Sequence, residues 1–471
     1  LRIAVISTYT HPTRLRVKEP SVMQSSVPEL IAGLCPADAE IELYNEKEVD
    51  IPLDRPWDLV FFSYMHAYYE HTKVLSTLLR QRGVKTIAGG RHAIQFADDA
   101  EKYFDAVITG EPEPNVPAAV EDFARGRLQK RYNLQGGGAA DIKPFRWDLI
   151  DYKNNPIRLP GIEASRGCPF TCNFCVLTGW EKYRYRPVQQ VVDEIETRMT
   201  WNKNWFGVFD NTFIFLDNNL GGSPKYLREL CLALIPKKRI WGCALTFNIL
   251  RDEELVRLMA QAGCRYIYTG LESLNPESIT SFKKGQNKIG EVDEVIRRAF
   301  NNGILLSFGL LVGSDGDTEQ YLRKLPEVLA DLRYFSITFF GIVCPYPETP
   351  IYAQYKAENR LLPGSCSRDY DGYTLCHQPK QLSKSETVEH FLRLCGELGQ
   401  VQNIFKHYAS TLGSSKLPQY RKVILASGPE ILSVRNPIQN KQRRYIAGLD
   451  DLEPWDREQI SKLGLPLQML S

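Results

Sequence analysis

No apolar stretch in the 471 residues approaches the length needed to span a bilayer. Charge of one sign is also missing: 58 Lys and Arg stand against 56 Asp and Glu, a net +2. That balance argues against a nucleic-acid or membrane-surface role carried by electrostatics. The opening Leu1-Arg2-Ile3-Ala4-Val5-Ile6-Ser7 is too short for a signal segment and reads as a buried strand. Eleven cysteines include one close group of three, and no second close pair follows it. A structural zinc loop, which takes four ligands and commonly two close pairs, is therefore disfavoured. Clustered thiols in a long chain favour metal chemistry in a reducing compartment over disulfides, so the expectation is a cytoplasmic protein. Composition is ordinary for a globular chain, 43% hydrophobic and 24% charged, and the length suits two or three domains.

The cysteine group is Gly167-Cys168-Pro169-Phe170-Thr171-Cys172-Asn173-Phe174-Cys175. It lies on a loop that leaves a short apolar strand, Gly161 to Ala164, and leads into a helix. Thiolates are the soft ligands selected by iron–sulfur clusters and zinc. Three of them on a four-iron cluster leave one iron open, and an open coordination position is a reaction site. The pattern resembles the signature of the radical S-adenosylmethionine (SAM) superfamily, including the aromatic Phe174 before the last cysteine. The resemblance implies that Cys168, Cys172 and Cys175 ligate a [4Fe-4S] cluster, with Phe174 beside SAM. In that family the open iron chelates SAM, and an electron from the cluster cleaves it to a 5′-deoxyadenosyl radical.

Before this loop, four apolar runs alternate with helical patterns: Ile3-Ser7, Leu59-Tyr64, Thr86-Gly89 and Ala106-Thr109, with helices over Val22-Leu34, Tyr69-Arg82 and Pro114-Arg125. The alternation predicts a doubly wound, Rossmann-like parallel sheet over residues 1–130, binding a ligand beyond the carboxyl ends of its strands. Ala88-Gly89-Gly90-Arg91-His92-Ala93 and Asp105-Ala106-Val107-Ile108-Thr109-Gly110-Glu111 resemble the cobalamin-binding domain that precedes many radical SAM domains. On that resemblance Thr8, Tyr64, Gly89, Gly90, His92, Gly110 and Glu111 are the candidate cobalamin contacts. An Asp-x-His-x-x-Gly segment is missing, so no histidine is offered as the lower cobalt ligand. The other reading is a lid that holds no cofactor. Residues 131–158, with Gly136-Gly137-Gly138, read as a linker.

From residue 159 to 350 six strand–helix units predict a (β/α)6 partial TIM barrel. The resemblance to radical SAM enzymes covers this span, with Gly-Leu-Glu-Ser at 270–273 and Pro-Tyr-Pro-Glu-Thr-Pro at 345–350; Glu348 stands where the family usually has glycine. Candidate SAM contacts are Asp217, Glu272, Ser273 and Gly313. The plain alternatives are a turn or cap for Asp217, a salt bridge for Glu272 and a turn for Gly313. Asn218 shares the reading of Asp217. Cys344, Cys366 and Cys376 lie near the barrel mouth, where an auxiliary cluster is a minor alternative. Residues 351–471 read as a mainly helical segment that covers the substrate, with Ser383 capping a helix to Leu398.

The function expected is a cobalamin-dependent radical SAM C-methyltransferase acting on a small-molecule or natural-product substrate. Its electrons would come from a flavodoxin- or ferredoxin-type donor. The runner-up keeps the radical but closes a ring, rearranges or forms a C–C bond without methyl transfer. From another class comes a corrinoid- and cluster-binding protein without turnover.

Overall fold

The structure is a computed structural model that describes residues 1–10, 25–135, 145–150, 158–179, 182–201, 211–332 and 334–398, with Glu458 and Lys462. The Gly136–Gly138 run, the start of the first helical pattern and the tail beyond 398 lie outside the described residues, apart from those last two.

The first sheet is built from β1 (Arg2–Ser7), β2 (Glu40–Asn45), β3 (Leu59–Ser63), β4 (Lys85–Gly89), β5 (Ala106–Ile108) and β6 (Arg131–Tyr132). All pair in parallel, in the order β2-β1-β3-β4-β5-β6. The four central strands match the apolar runs. The edge strands β2 and β6 do not show as such runs, because an edge strand buries little: in Glu-Ile-Glu-Leu-Tyr-Asn only Ile41 is buried. Helices α1 (Val27–Leu34), α2 (Tyr69–Gln81), α3 (Arg91–Gln95), α4 (Ala97–Tyr103) and α5 (Pro112–Ala124) connect the strands. Two separate apolar cores result, one around Ile3, Val5, Phe61 and Val116, the other around Ile6, Phe62, Leu79 and Phe104. Alternate residues of each strand point to opposite faces, which is why both faces need helices. Strand order reverses between β1 and β3, and ligands of such sheets bind at that crevice.

The second sheet contains β7 (Gly161–Ile162), β10 (Thr212–Phe215), β11 (Ile240–Ala244), β12 (Cys264–Glu272), β13 (Leu305–Val312) and β14 (Phe335–Ile342), all parallel and in chain order. A short antiparallel pair, β8 (Ser165–Arg166) with β9 (Arg184–Tyr185), brackets the cysteine loop. Around the sheet run α6 (Val188–Trp201), α7 (Pro224–Leu234), α8 (Glu253–Gln261), α9 (Pro276–Ser281), α10 (Val292–Asn301) and α11 (Glu319–Asp331). Several have local reasons to begin where they do. Asp252 accepts the Leu255 N–H at the start of α8, and Thr318 accepts that of Tyr321 at α11. This is an open six-stranded α/β barrel, as expected, with one large core from Ile162 to Cys395. The strand run expected from Phe206 to Asp210 lies outside the described residues.

After the barrel come α12 (Pro350–Ala357) and α13 (Lys384–Leu398). Ser383 and Glu386 cap α13 reciprocally, each accepting the other's backbone N–H. Glu348, in the glycine's place, adopts a left-handed φ of +66°, a conformation that costs a non-glycine residue about 1–3 kcal/mol. Among the described residues no helix is long and apolar enough to cross a membrane.

Candidate active site: a thiol loop beside a cavity shared by two sheets

The carboxyl-terminal edges of both sheets open on one cavity of about 840 Å³, within the range of small-molecule and cofactor sites. The first sheet contributes Ser63, Gly89, Gly90 and Gly110, and the barrel contributes Leu216, Asp217, Asn218, Ala244 and Tyr268. Gly89, Gly90, Gly110 and Glu111 therefore sit together at the cavity, as the sequence suggested. Gly90 is held at φ +95°, and a Cβ there would lie 2.6 Å from the Tyr64 carbonyl oxygen. Only glycine lets this loop pass so close.

Thr8, Tyr64 and His92 do not line that cavity. Thr8 is buried and shares a hydrogen bond with Thr72 at 2.8 Å. The Tyr64 ring stacks on Tyr69 and Phe104 inside the second core. His92 stacks on Tyr69 at 3.8 Å and pairs through Nδ1 with His66 Nδ1 at 2.6 Å. Burial pushes His66 down to about 4 and His92 to about 2, so both rings are neutral and one Nδ1 donates to the other. Among the described residues no histidine lines the cavity.

Glu111 has a second partner set. Arg166, two residues before Cys168, binds Glu111 at 2.5 Å, Glu113 at 2.8 Å and Glu163 at 2.7 Å; Arg184 also pairs with Glu111. The Arg166 side chain is 11% exposed, so this fork of ion pairs joins the first domain to the cysteine loop in a largely dry setting.

Asp217 is buried at the cavity wall and accepts the backbone N–H groups of Ala164 (3.2 Å) and Ser165, together with the Ser165 hydroxyl (2.6 Å). Burial raises its carboxyl to about 7 despite those bonds. It thus anchors the chain entering the cysteine loop from the end of β10. Asn218 faces the cavity, and Asn219 reaches the thiols.

The three cysteines lie within electrostatic range of one another, and each sulfur meets one N–H donor. Asn219 Nδ2 donates to Cys168 Sγ at 3.4 Å, Gln286 Nε2 donates to Cys172 Sγ at 3.4 Å, and the Leu177 N–H serves Cys175. Burial pushes the Cys172 and Cys175 thiols up, while Lys284 and these bonds pull them back. Among the described residues no three His, Cys, Asp or Glu side chains converge closely enough for a single metal ion. Cluster thiolates bind separate irons and need not converge on one point as the ligands of a single ion do. The donors to sulfur fit thiolates, which accept where a neutral thiol barely does.

Phe174 packs edge-on against Phe282, with Lys284 Nζ 5.7 Å from its ring centroid. Glu272 ends β12 at φ +65° and forms a buried ion pair with Lys284. Its carboxylate folds back over Gly270, where a Cβ would lie 2.0 Å from Glu272 Oε1, so a larger residue there would displace the Glu272–Lys284 pair. Ser273 bonds Tyr321 at 3.0 Å and takes the Asn275 N–H. Gly313 donates to Asp317, and its carbonyl is bonded by His377 Nε2 at 2.9 Å. These three positions are thus engaged in the protein's own contacts. Cys344, Cys366 and Cys376 lie in one region beside Asp369, but they too fail to converge on a metal position.

Sequence reasoning missed Asn219, Gln286 and Arg166. Asn219 had a signal, being the third polar residue of the turn that ends β10; Gln286 had none.

Residues 162–329 match the model of the Radical SAM superfamily. A bacteriochlorophyllide d C-12(1)-methyltransferase of Chlorobaculum tepidum is 26% identical, covering 80% of this chain and 83% of its own. An anaerobic magnesium-protoporphyrin IX monomethyl ester cyclase of Cereibacter sphaeroides is 28% identical over 64% of this chain and 53% of its own. The fold is that of the radical SAM methyltransferase TsrM of Kitasatospora setae, solved with cobalamin and a [4Fe-4S] cluster: TM-score 0.60 and 17% identity, over 83% of this chain and 85% of that one. Residues 162–329 thus match the Radical SAM superfamily, and they follow an N-terminal parallel sheet in a chain whose fold is that of TsrM.

Proposed function

We propose that the protein is a cobalamin-dependent radical SAM enzyme that methylates an unactivated carbon of a small-molecule substrate. The observation that carries this reading is the single cavity onto which the glycine-lined edge of the first sheet and the polar edge of the barrel both open. When bound, the cluster with SAM supplies a 5′-deoxyadenosyl radical, and the corrinoid supplies the methyl group.

The chain's own residues have distinct tasks in this reading. Cys168, Cys172 and Cys175 hold the cluster through sulfur. Gly89, Gly90 and Gly110 let a broad, flat group approach the backbone, and Phe61, Phe62, Ile94 and Ile108 present apolar surface to it. Asp217 fixes the strand that leads to the cysteines. The Lys284 ammonium, matched by Glu272, lies close enough to influence Cys172 and Cys175. Phe215, Tyr266 and Tyr268 wall the cavity on the barrel side and exclude water. Electrons come from a flavodoxin- or ferredoxin-type donor, and the protein works in the cytoplasm.

The cyclase relative favours a second reading, radical chemistry without methyl transfer. Anaerobically reconstituted full chain, reduced with dithionite and given SAM with a deuterated methyl group, hydroxocobalamin and bacteriochlorophyllide d as probe, separates the two. Label in the tetrapyrrole together with 5′-deoxyadenosine supports methylation. 5′-Deoxyadenosine with no bound corrinoid favours the second reading, and failure to cleave SAM contradicts both.

A further inference from the structure

We propose that Asn219 and Gln286 are positioning residues that raise the reduction potential of a cluster held by Cys168, Cys172 and Cys175. The proposal rests on the cluster assignment made above.

The two amides come from different barrel loops and meet two different sulfurs. The Asn219 side chain has only one workable orientation. It is 1% exposed, and its Oδ1 accepts from the Thr246 backbone N–H at 3.2 Å and the Thr246 hydroxyl at 3.4 Å. The oxygen is therefore committed to Thr246, and the amide group must face Cys168. Gln286 is fixed by its neighbour: Asn287 Nδ2 donates to the Gly270 and Leu271 carbonyls, each at 3.0 Å, pinning the loop to the end of β12. Gln286 Nε2 then points at Cys172.

The electrostatic consequence has a definite sign. Reduction adds one electron to the cluster and breaks no bond; in the test below that electron comes from dithionite. Part of the added charge resides on the cysteine sulfurs, and an N–H dipole aimed at them stabilises the reduced state more than the oxidised one. Asn219 and Cys172 are buried and Cys168 and Gln286 half-buried, a drier setting than open water, which strengthens the effect. The Leu177 N–H on Cys175 is a backbone donor and stays in place in every side-chain variant.

The test uses the full chain reconstituted anaerobically with iron and sulfide, without SAM. The reduced-cluster signal is titrated by electron paramagnetic resonance against potential, and iron is counted. Gln286→Met removes a donor that makes no other bond among the described residues. Asn219→Leu removes the other donor, and Gln286→Glu keeps the shape without an amide N–H. Each variant should retain iron yet show a several-fold lower ratio of reduced to oxidised cluster at a fixed potential; a tenfold fall corresponds to ~59 mV for one electron. Gln286→Glu should fall furthest, because it adds a negative charge. Unchanged potentials at full iron content overturn the proposal, as does loss of iron in both Gln286 variants, which would make the residue a scaffold for the loop. Wild-type protein with no iron–sulfur spectrum would instead overturn the cluster assignment itself.

Discussion

At the edge of the first sheet the cavity is met by backbone: Gly89, Gly90 and Gly110, with the nearby polar side chains of Thr8, Tyr64 and His92 turned into the core. At the edge of the barrel it is met by side chains, with Asp217 and Asn218 at the cavity and Asn219 on a sulfur. The same strand-end geometry thus yields a glycine-lined wall, with Arg91 and Glu111 beside it, on one side and a polar grip on the other. A wall suits a large ligand whose chemistry is its own; a grip suits a cluster whose properties depend on each donor. Arg166 ties the two together, since it stands at the mouth of the cysteine loop and binds two carboxylates of the first domain.

The contrast breaks most completely at the thiols. Cys172→Ala should abolish cluster assembly and SAM cleavage while leaving corrinoid binding in place, read by iron analysis and optical spectra. Next comes the tie between the halves. Arg166→Met leaves Glu111, Glu113 and Glu163 with their main cation gone; breaking a buried pair costs about 3–5 kcal/mol, and the partial exposure here puts the loss at the lower end. Denaturant unfolding should show it.

The wall is more tolerant than the grip. Gly90→Ala forces a Cβ against the Tyr64 backbone at a left-handed φ, so stability should fall by about 1–3 kcal/mol. Corrinoid should be retained less well, with iron content unchanged.

How far these roles could be read in advance differs between the two sides. Cysteine spacing and six apolar runs are local signals, so the thiol loop and the barrel were legible. β2 was not, because an edge strand needs no apolar run. His92 and Tyr64 sit beside the right loops, but whether a side chain turns to the cavity or to the core depends on packing against Tyr69 and Phe104, which no spacing encodes. The Glu272 salt bridge was foreseen only as an alternative, and its partner Lys284 is brought near by the turn after α9. Gln286 meets Cys172 across 114 positions of sequence, a contact only the folded barrel supplies.

A pH-dependent effect, small over any one pH unit, sharpens the account of Asp217. Its carboxyl is raised to about 7 in the folded protein, whereas in the unfolded chain it ionises near the ordinary value of about 4. Between those values unfolding releases a proton, so this group's contribution favours the fold at low pH and is lost as pH rises. Asp217→Asn keeps an acceptor for Ser165 and removes that dependence. Relative to the wild type, the variant should gain stability by ~1 kcal/mol per pH unit from about pH 4 to about pH 7 and stay level above. Parallel denaturant titrations at several pH values check this.

The most direct test of one cavity serving both halves needs no known substrate. Reconstituted full chain is reduced with dithionite, given SAM, and assayed for 5′-deoxyadenosine and for bound corrinoid, with and without the Gly90→Ala change. The account predicts that wild type forms 5′-deoxyadenosine and retains corrinoid after gel filtration, and that Gly90→Ala loses corrinoid but keeps its cluster. A wild-type protein that cleaves SAM yet never retains corrinoid would contradict it.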